Sequence, residues 1–153
     1  MQAYNCTVIL GATATGKTAL AVSLAQRKNG EIISADSRQV YRGLDLGTGK
    51  DLDEYGSVPY HLIDVCDLHE EYTVFRFQQE VYRIFPQLIR RGAAPIIAGG
   101  TGLYLDALLR AYELIPVPEN TELRTALASK SLSELQSLLL TLKPAVHNKT
   151  DLE

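Results

Sequence analysis

Residues 11–18 read GATATGKT and stand directly between the apolar run CTVIL (6–10) and the helix-like stretch ALAVSLAQRK that begins at Ala19. Few folds place a glycine-rich loop between a strand and a helix. Gly11 and Gly16 permit backbone dihedrals that a side chain would forbid, so the amides of Ala12, Thr13, Ala14 and Thr15 and their neighbours can point into one hollow. The N-terminal end of the following helix adds its positive pole there. Such a hollow suits phosphate. The spacing adds Lys17 as a mobile positive charge on the terminal phosphate and the Thr18 hydroxyl as a ligand for Mg2+. The loop specifies a diphosphate or triphosphate but no reaction, because kinases, NTPases and other transferases all use it. A strand-to-helix turn that holds no ligand is the plain alternative.

Three further short runs rich in Ile and Val follow: EIISA (31–35), YHLIDV (60–65) and PIIAG (95–99). Segments of helical periodicity separate them, which predicts an α/β fold with a parallel sheet and helices on both faces. With the loop at 11–18, this is a P-loop NTPase-like architecture. Right-handed crossovers bring the loops after Leu10, Ala35, Val65 and Gly99 to one edge of the sheet. Helices are predicted at Lys17 to Lys28, Thr73 to Arg91, Gly102 to Arg110, Glu119 to Ala128 and Ser131 to Leu142, the last with capping-box spacing between Ser131 and Glu134. Pro86 should kink or divide the second of these. The expected division is a core over 1–112 and a short C-terminal helical segment over 113–153.

The chain is 153 residues long with a formal net charge of −3, so any grip on nucleic acid must be local rather than a general attraction. Arg76, Arg83, Arg90 and Arg91 fall on a helical stretch and read as solvated surface. No apolar run approaches the ~20 residues of a membrane span. The opening MQAYNCTVIL has no signal-peptide pattern, and Cys6 and Cys66 lie far apart and read as small buried hydrophobes. A cytoplasmic monomer with no membrane contact is expected.

The other strand ends supply candidate chemistry. Asp36 follows the second strand and can reach a bound metal or an acceptor substrate, or it can merely close an Asx turn with Ser37. GGTGLY (99–104) offers Thr101 as a hydroxyl donor to phosphate oxygen, or is simply a turn. Lys50, in GTGK, reads as a surface turn lysine, His61 as buried strand interior, and Asp64 as a weak candidate for the outer shell of the metal.

Taken in order, GATATGKT, SADSRQVYRGLDLGTGK, HLID, GGTGLYLDALL and PVPENTELR closely resemble the bacterial tRNA dimethylallyltransferases, also called tRNA isopentenyltransferases. The resemblance implies that the loop holds the diphosphate of dimethylallyl diphosphate, with Mg2+ on Thr18, and that the N6 of a tRNA adenosine beside the anticodon attacks the allylic carbon. It makes Asp36 the general base and Thr101 the contact to the departing oxygen, with Lys17 on the diphosphate. It also makes Asp36, Ser37, Arg38, Gln39 and Arg124 contacts to tRNA. Asp51 departs from the family, which usually has proline there. The chain stops at HNKTDLE, where the family continues into an arginine-rich helix, so it is expected to be the N-terminal half of such an enzyme, with 113–153 a remnant of the family's inserted helical region. Two other readings stay open: a small-molecule kinase using ATP, and an inactive diphosphate-binding fragment.

Overall fold

The computed structural model describes residues 5–143, so HNKTDLE lies outside the described residues. Four strands form one parallel sheet in the order β1-β4-β2-β3: β1 Thr7–Leu10, β2 Gly30–Ser34, β3 Tyr60–His61 and β4 Ala94–Gly99. Among the described residues five helices accompany it: α1 Lys17–Lys28, α2 Val74–Arg90, α3 Gly102–Leu109, α4 Thr121–Leu127 and α5 Leu132–Leu142, with a 3-10 turn at Leu52–Tyr55.

Strand alternation divides the core. Ile32 and Ile96 face one side, clustered with Ala21, Val22 and Ala25 of α1. Ile33 and Ile97 face the other, clustered with Phe77, Val81 and Leu88 of α2 and with Tyr104 and Leu105 of α3. Helices therefore cover both faces, as the apolar strand runs require. Pro95 is tolerated in the interior strand β4 because pairing with β1 begins only at Ile96.

Two expectations need correction. YHLIDV is not a strand throughout: pairing ends at His61, and Leu62 and Asp64 both take positive φ, 63° and 55°, which ends the ladder. Of the outcomes expected at Pro86, division does not occur: α2 runs unbroken from Val74 to Arg90. The carbonyl that Pro86 leaves unpaired belongs to Tyr82, and both residues lie on the exposed side of the helix, where water can satisfy it.

The chain forms two compact units, Met1–Ile115 and Pro116–Glu153. In the second, Asn120 caps α4 by accepting from the Leu123 amide, so that helix starts later than its apolar pattern suggests. Ser131 and Glu134 form the full capping box of α5.

Candidate active site

The phosphate loop joins β1 to α1. Gly16 takes φ 79° at the N-cap of α1, a conformation that a side chain would oppose. Gly11 is different: its φ is not positive, and an added Cβ would sit 3.1 Å from Thr15 Oγ1 and 3.6 Å from Lys17 Cδ. Its role is to leave room for those side chains, while Ala14 takes the second positive φ, 62°. Thr15 Oγ1 and Lys17 Nζ both donate to the Ala12 carbonyl, at 2.8 and 2.5 Å. The first turn of α1 has no side-chain cap and no acidic residue, so its positive pole is unopposed.

Two other strand ends meet this loop. Gly99 closes β4 so tightly on β2 that an added Cβ would lie 2.2 Å from the Ala35 carbonyl oxygen. The Thr101 amide donates to that same oxygen at 3.1 Å. Thr101 stands at the N-cap of α3 but does not cap it. Its Oγ1 instead accepts from the Ser37 amide at 2.9 Å and donates to Ser37 Oγ at 3.3 Å. The turns after β2 and β4 are thus stitched together. Asp36 does form the Asx turn: Oδ1 accepts from the amides of Arg38, at 2.9 Å, and Gln39, at 3.4 Å. Its other oxygen has no partner among the described residues. Gln39 donates to the Thr48 and Gly49 carbonyls and accepts from Ser34 Oγ, which fixes the neighbouring turn.

A cavity of about 900 Å³ results, lined by residues 11–18, 36–39 and 98–101, with a further wall from Thr48, Gly49, Asp51, Glu54 and Tyr55. Every site residue read from the sequence lines it except Arg124, which lies on α4 in the second unit and pairs with Glu119 at 3.0 Å. The loop after Val65 does not join the lining, because YHLIDV leaves the sheet at His61. The Leu52–Tyr55 wall escaped the sequence reading, since a single polar 3-10 turn has no periodicity to betray it. Burial, helped by the charge of Glu54, pushes the Tyr55 hydroxyl up to about 12.

The donors fit Mg2+ in one way only. Among the described residues no cluster of three metal-binding side chains exists, but Thr18 and Asp36 present oxygen to the same cavity. Mg2+ bound chiefly through substrate phosphate needs no more than one or two protein oxygens.

Several residues away from the cavity differ from expectation. Lys50 is no surface lysine: its side chain is 1% exposed, and Nζ donates to Tyr41 O at 2.7 Å, Asp45 Oδ1 at 3.0 Å and Asp64 Oδ1 at 2.6 Å. Burial alone would lower its pKa, but the bonds to Asp64 and Asp45 outweigh that and raise it. Asp64 is therefore held by an ammonium. His61 is only half-buried and meets Glu31 at 2.7 Å. Arg76 and Arg91 are ion-paired, with Glu80 and Glu31 respectively, rather than simply solvated. Cys66 is buried, whereas Cys6 is exposed because it precedes β1. No helix among the described residues is long and apolar enough to cross a membrane.

A family model described as IPP transferase matches residues 39–153, and one described as isopentenyl transferase matches residues 4–57. The chain belongs to the IPP transferase family. It is 67% identical over 152 residues to the tRNA dimethylallyltransferase of Treponema pallidum (strain Nichols), covering 98% of this chain and 48% of that protein. To tRNA dimethylallyltransferase 2 of Treponema denticola it is 64% identical, covering 98% of this chain and 50% of the other. Among solved structures, the tRNA isopentenylpyrophosphate transferase of Bacillus halodurans superposes with a TM-score of 0.72 at 37% identity, over 93% of this chain and 48% of that one. A eukaryotic dimethylallyltransferase acting on tRNA superposes with a TM-score of 0.78 at 33% identity, over 93% and 36%. The chain thus spans about half the length of the curated relatives that it matches, and it shares the P-loop NTPase-like fold of its structural neighbours.

Proposed function

We propose that the chain transfers a dimethylallyl group from dimethylallyl diphosphate to N6 of an adenosine beside a tRNA anticodon, releasing pyrophosphate. One observation carries this reading: the GATATGKT loop, Asp36 and Thr101 line a single cavity, stitched by the Thr101–Ser37 bonds. The names of the relatives favour it over phosphoryl transfer from ATP.

In this reading the N6 lone pair attacks the allylic C1, the C1–O bond breaks, and its electrons leave on the diphosphate. An aryl amine is a weak nucleophile, and the unpartnered Asp36 oxygen takes the N6 proton and aims the attack. The loop amides and Lys17 stabilise the charge that builds on the leaving group. Lys17 must exchange its bond to Ala12 O for a phosphate oxygen. Thr101 keeps its acceptor bond from the Ser37 amide and redirects its proton from Ser37 Oγ to the departing oxygen. Mg2+, held by Thr18, would supply further charge on the diphosphate. The target base leaves its stack to enter the cavity, and Ser37, Arg38 and Gln39 at the cavity face, together with Arg124, contact the tRNA. Arg124 is free to do so, since its exposed pair with Glu119 is a weak one. Action on tRNA implies a cytoplasmic setting.

A second reading is diphosphate binding without turnover, since a phosphate loop specifies its ligand but not a reaction. Offering the purified chain tRNA with labelled dimethylallyl diphosphate, and hydroxyl acceptors with γ-labelled ATP, separates these. Label in tRNA is the expected result. Phosphorylated acceptor overturns it, and saturable pyrophosphate binding with no product assigns the second reading.

A further inference from the structure

Residues 43–49, GLDLGTG, form no helix or strand, and Gly43, Gly47 and Gly49 all take positive φ, at 78°, 76° and 65°. So much glycine leaves the free segment many conformations. Yet Thr48 and Gly49 form part of the cavity wall, so the segment must be held in one of them. Lys50, which follows directly, does not itself line the cavity. Its side chain is 1% exposed, and Nζ donates to the Tyr41 carbonyl and to the carboxylates of Asp45 and Asp64. A buried ammonium is costly unless its protons meet acceptors, and here three acceptors take three protons.

The bond to Asp64 closes a circuit. The Asp64 amide donates to the Gln39 carbonyl at 3.1 Å, and the Gln39 side-chain amide donates to the Gly49 carbonyl at 3.1 Å. Gly49 is joined to Lys50 by a peptide bond. Asp36 hangs on this circuit, because its Oδ1 accepts from the Gln39 amide. None of these bonds involves residues 11–18. We propose that Lys50 is a positioning residue for the acceptor: by closing the circuit it fixes the Thr48–Gly49 wall relative to Asp36, and so sets where an entering adenosine stands against the free Asp36 oxygen. This inference rests on the acceptor part of the proposed function, whereas the circuit stands without it.

The test compares the full chain with Lys50→Met, which keeps a long stem and removes the charge. Pyrophosphate titration counts the folded sites, and single-turnover transfer to tRNA is then expressed per site. Pyrophosphate affinity should not change, while transfer per site should fall by about 10²-fold, the cost of a small misplacement of reacting groups. Unfolding alone would lower the number of sites and leave the rate per site intact, and that result would overturn the inference. Weakened pyrophosphate binding would overturn it too, by assigning the wall to the leaving group. Asp64→Asn tolerates the left-handed backbone and keeps an acceptor oxygen, so it should fold even if Lys50→Met does not. Its neutral acceptor makes a weaker bond to the ammonium, so its rate per site should fall by less; an unchanged rate would overturn the inference. Amide exchange followed by NMR reads the circuit without any transfer. Exchange at Gln39 and Asp64 should quicken in either variant, while exchange at Thr101, whose amide bonds to Ala35, should not. An unchanged chain that transfers nothing overturns the acceptor reading before any variant is made, and equal exchange at Gln39 and Asp64 overturns the circuit separately.

Discussion

In the proposed reaction Asp36 has two duties on one carboxylate. Oδ1 holds the turn over Ser37 and Arg38 through backbone amides, and the other oxygen is left for chemistry. Alanine at this position would remove both functions, and lost activity would then say little. Asparagine separates them, because its carbonyl oxygen still accepts from the Arg38 amide but cannot take a proton at neutral pH. Asp36→Asn should therefore melt within a degree or two of the unchanged chain and bind pyrophosphate with nearly unchanged affinity. Prenyl transfer to tRNA should fall by roughly 10²–10⁴-fold, the usual worth of a positioned general base. Single-turnover transfer measured beside pyrophosphate titration decides the matter, and parallel loss of binding and turnover would remove Asp36 from the base role.

The turns that carry Asp36 and Thr101 owe their closeness to Gly99, where β4 ends against β2. A methyl group there would meet the Ala35 carbonyl oxygen at 2.2 Å and its carbon at 2.4 Å, both rigid backbone atoms. Gly99→Ala should cost about 2 kcal/mol by overpacking and should lower transfer further by moving the two strand ends apart. Gly102→Ala, in the same GGTG turn, meets nothing within 4 Å and should leave the melting temperature almost unchanged. Thermal melts of the pair would show equal shifts if the packing account were wrong. The motif made this turn readable but not its reason: Gly99 makes way for the neighbouring strand, which nothing local in GGTGLY announces. Strands and helices with clear periodicity were readable nearly to the residue, as α1 at Lys17–Lys28 illustrates. Composition misled where partners are distant in sequence. Nothing local in GTGK says that Asp64 will take a positive φ and turn to bury Lys50. Tyr55 likewise reaches the cavity only through the fold.

At the opposite end of the strands from the cavity, Glu31 ties three elements together. It is the second residue of β2, accepts from Arg91 at 2.7 and 2.6 Å as α2 ends, and meets His61 of β3 at 2.7 Å. Strand β3 pairs with β2 over only Ile32–Tyr60 and Ile33–His61, so this side-chain tie supports a short edge of the sheet. The hydrogen bonds from Arg91 hold the Glu31 carboxyl below its ordinary value of 4.5, against the opposing effect of burial and with help from His61. The sign follows from proton counting. Between the depressed folded value and 4.5 the unfolded chain binds more protons, so the contribution of Glu31 is fully present above 4.5 and is lost as pH falls through the folded value. Glu31→Gln removes that titration. Its melting temperature should lie below that of the unchanged chain at pH 7, and the gap should narrow as both are acidified below pH 4.5. Exposed carboxyls that are also held low, such as Asp67 and Asp106, are common to both proteins and cancel in the difference. Because Glu31 stands at the N-terminal end of β2 and the phosphate loop at the C-terminal end of β1, pyrophosphate affinity at pH 7 should be the same in both proteins. A gap that stays constant from pH 7 to pH 3 would show that the tie acts through packing rather than through charge.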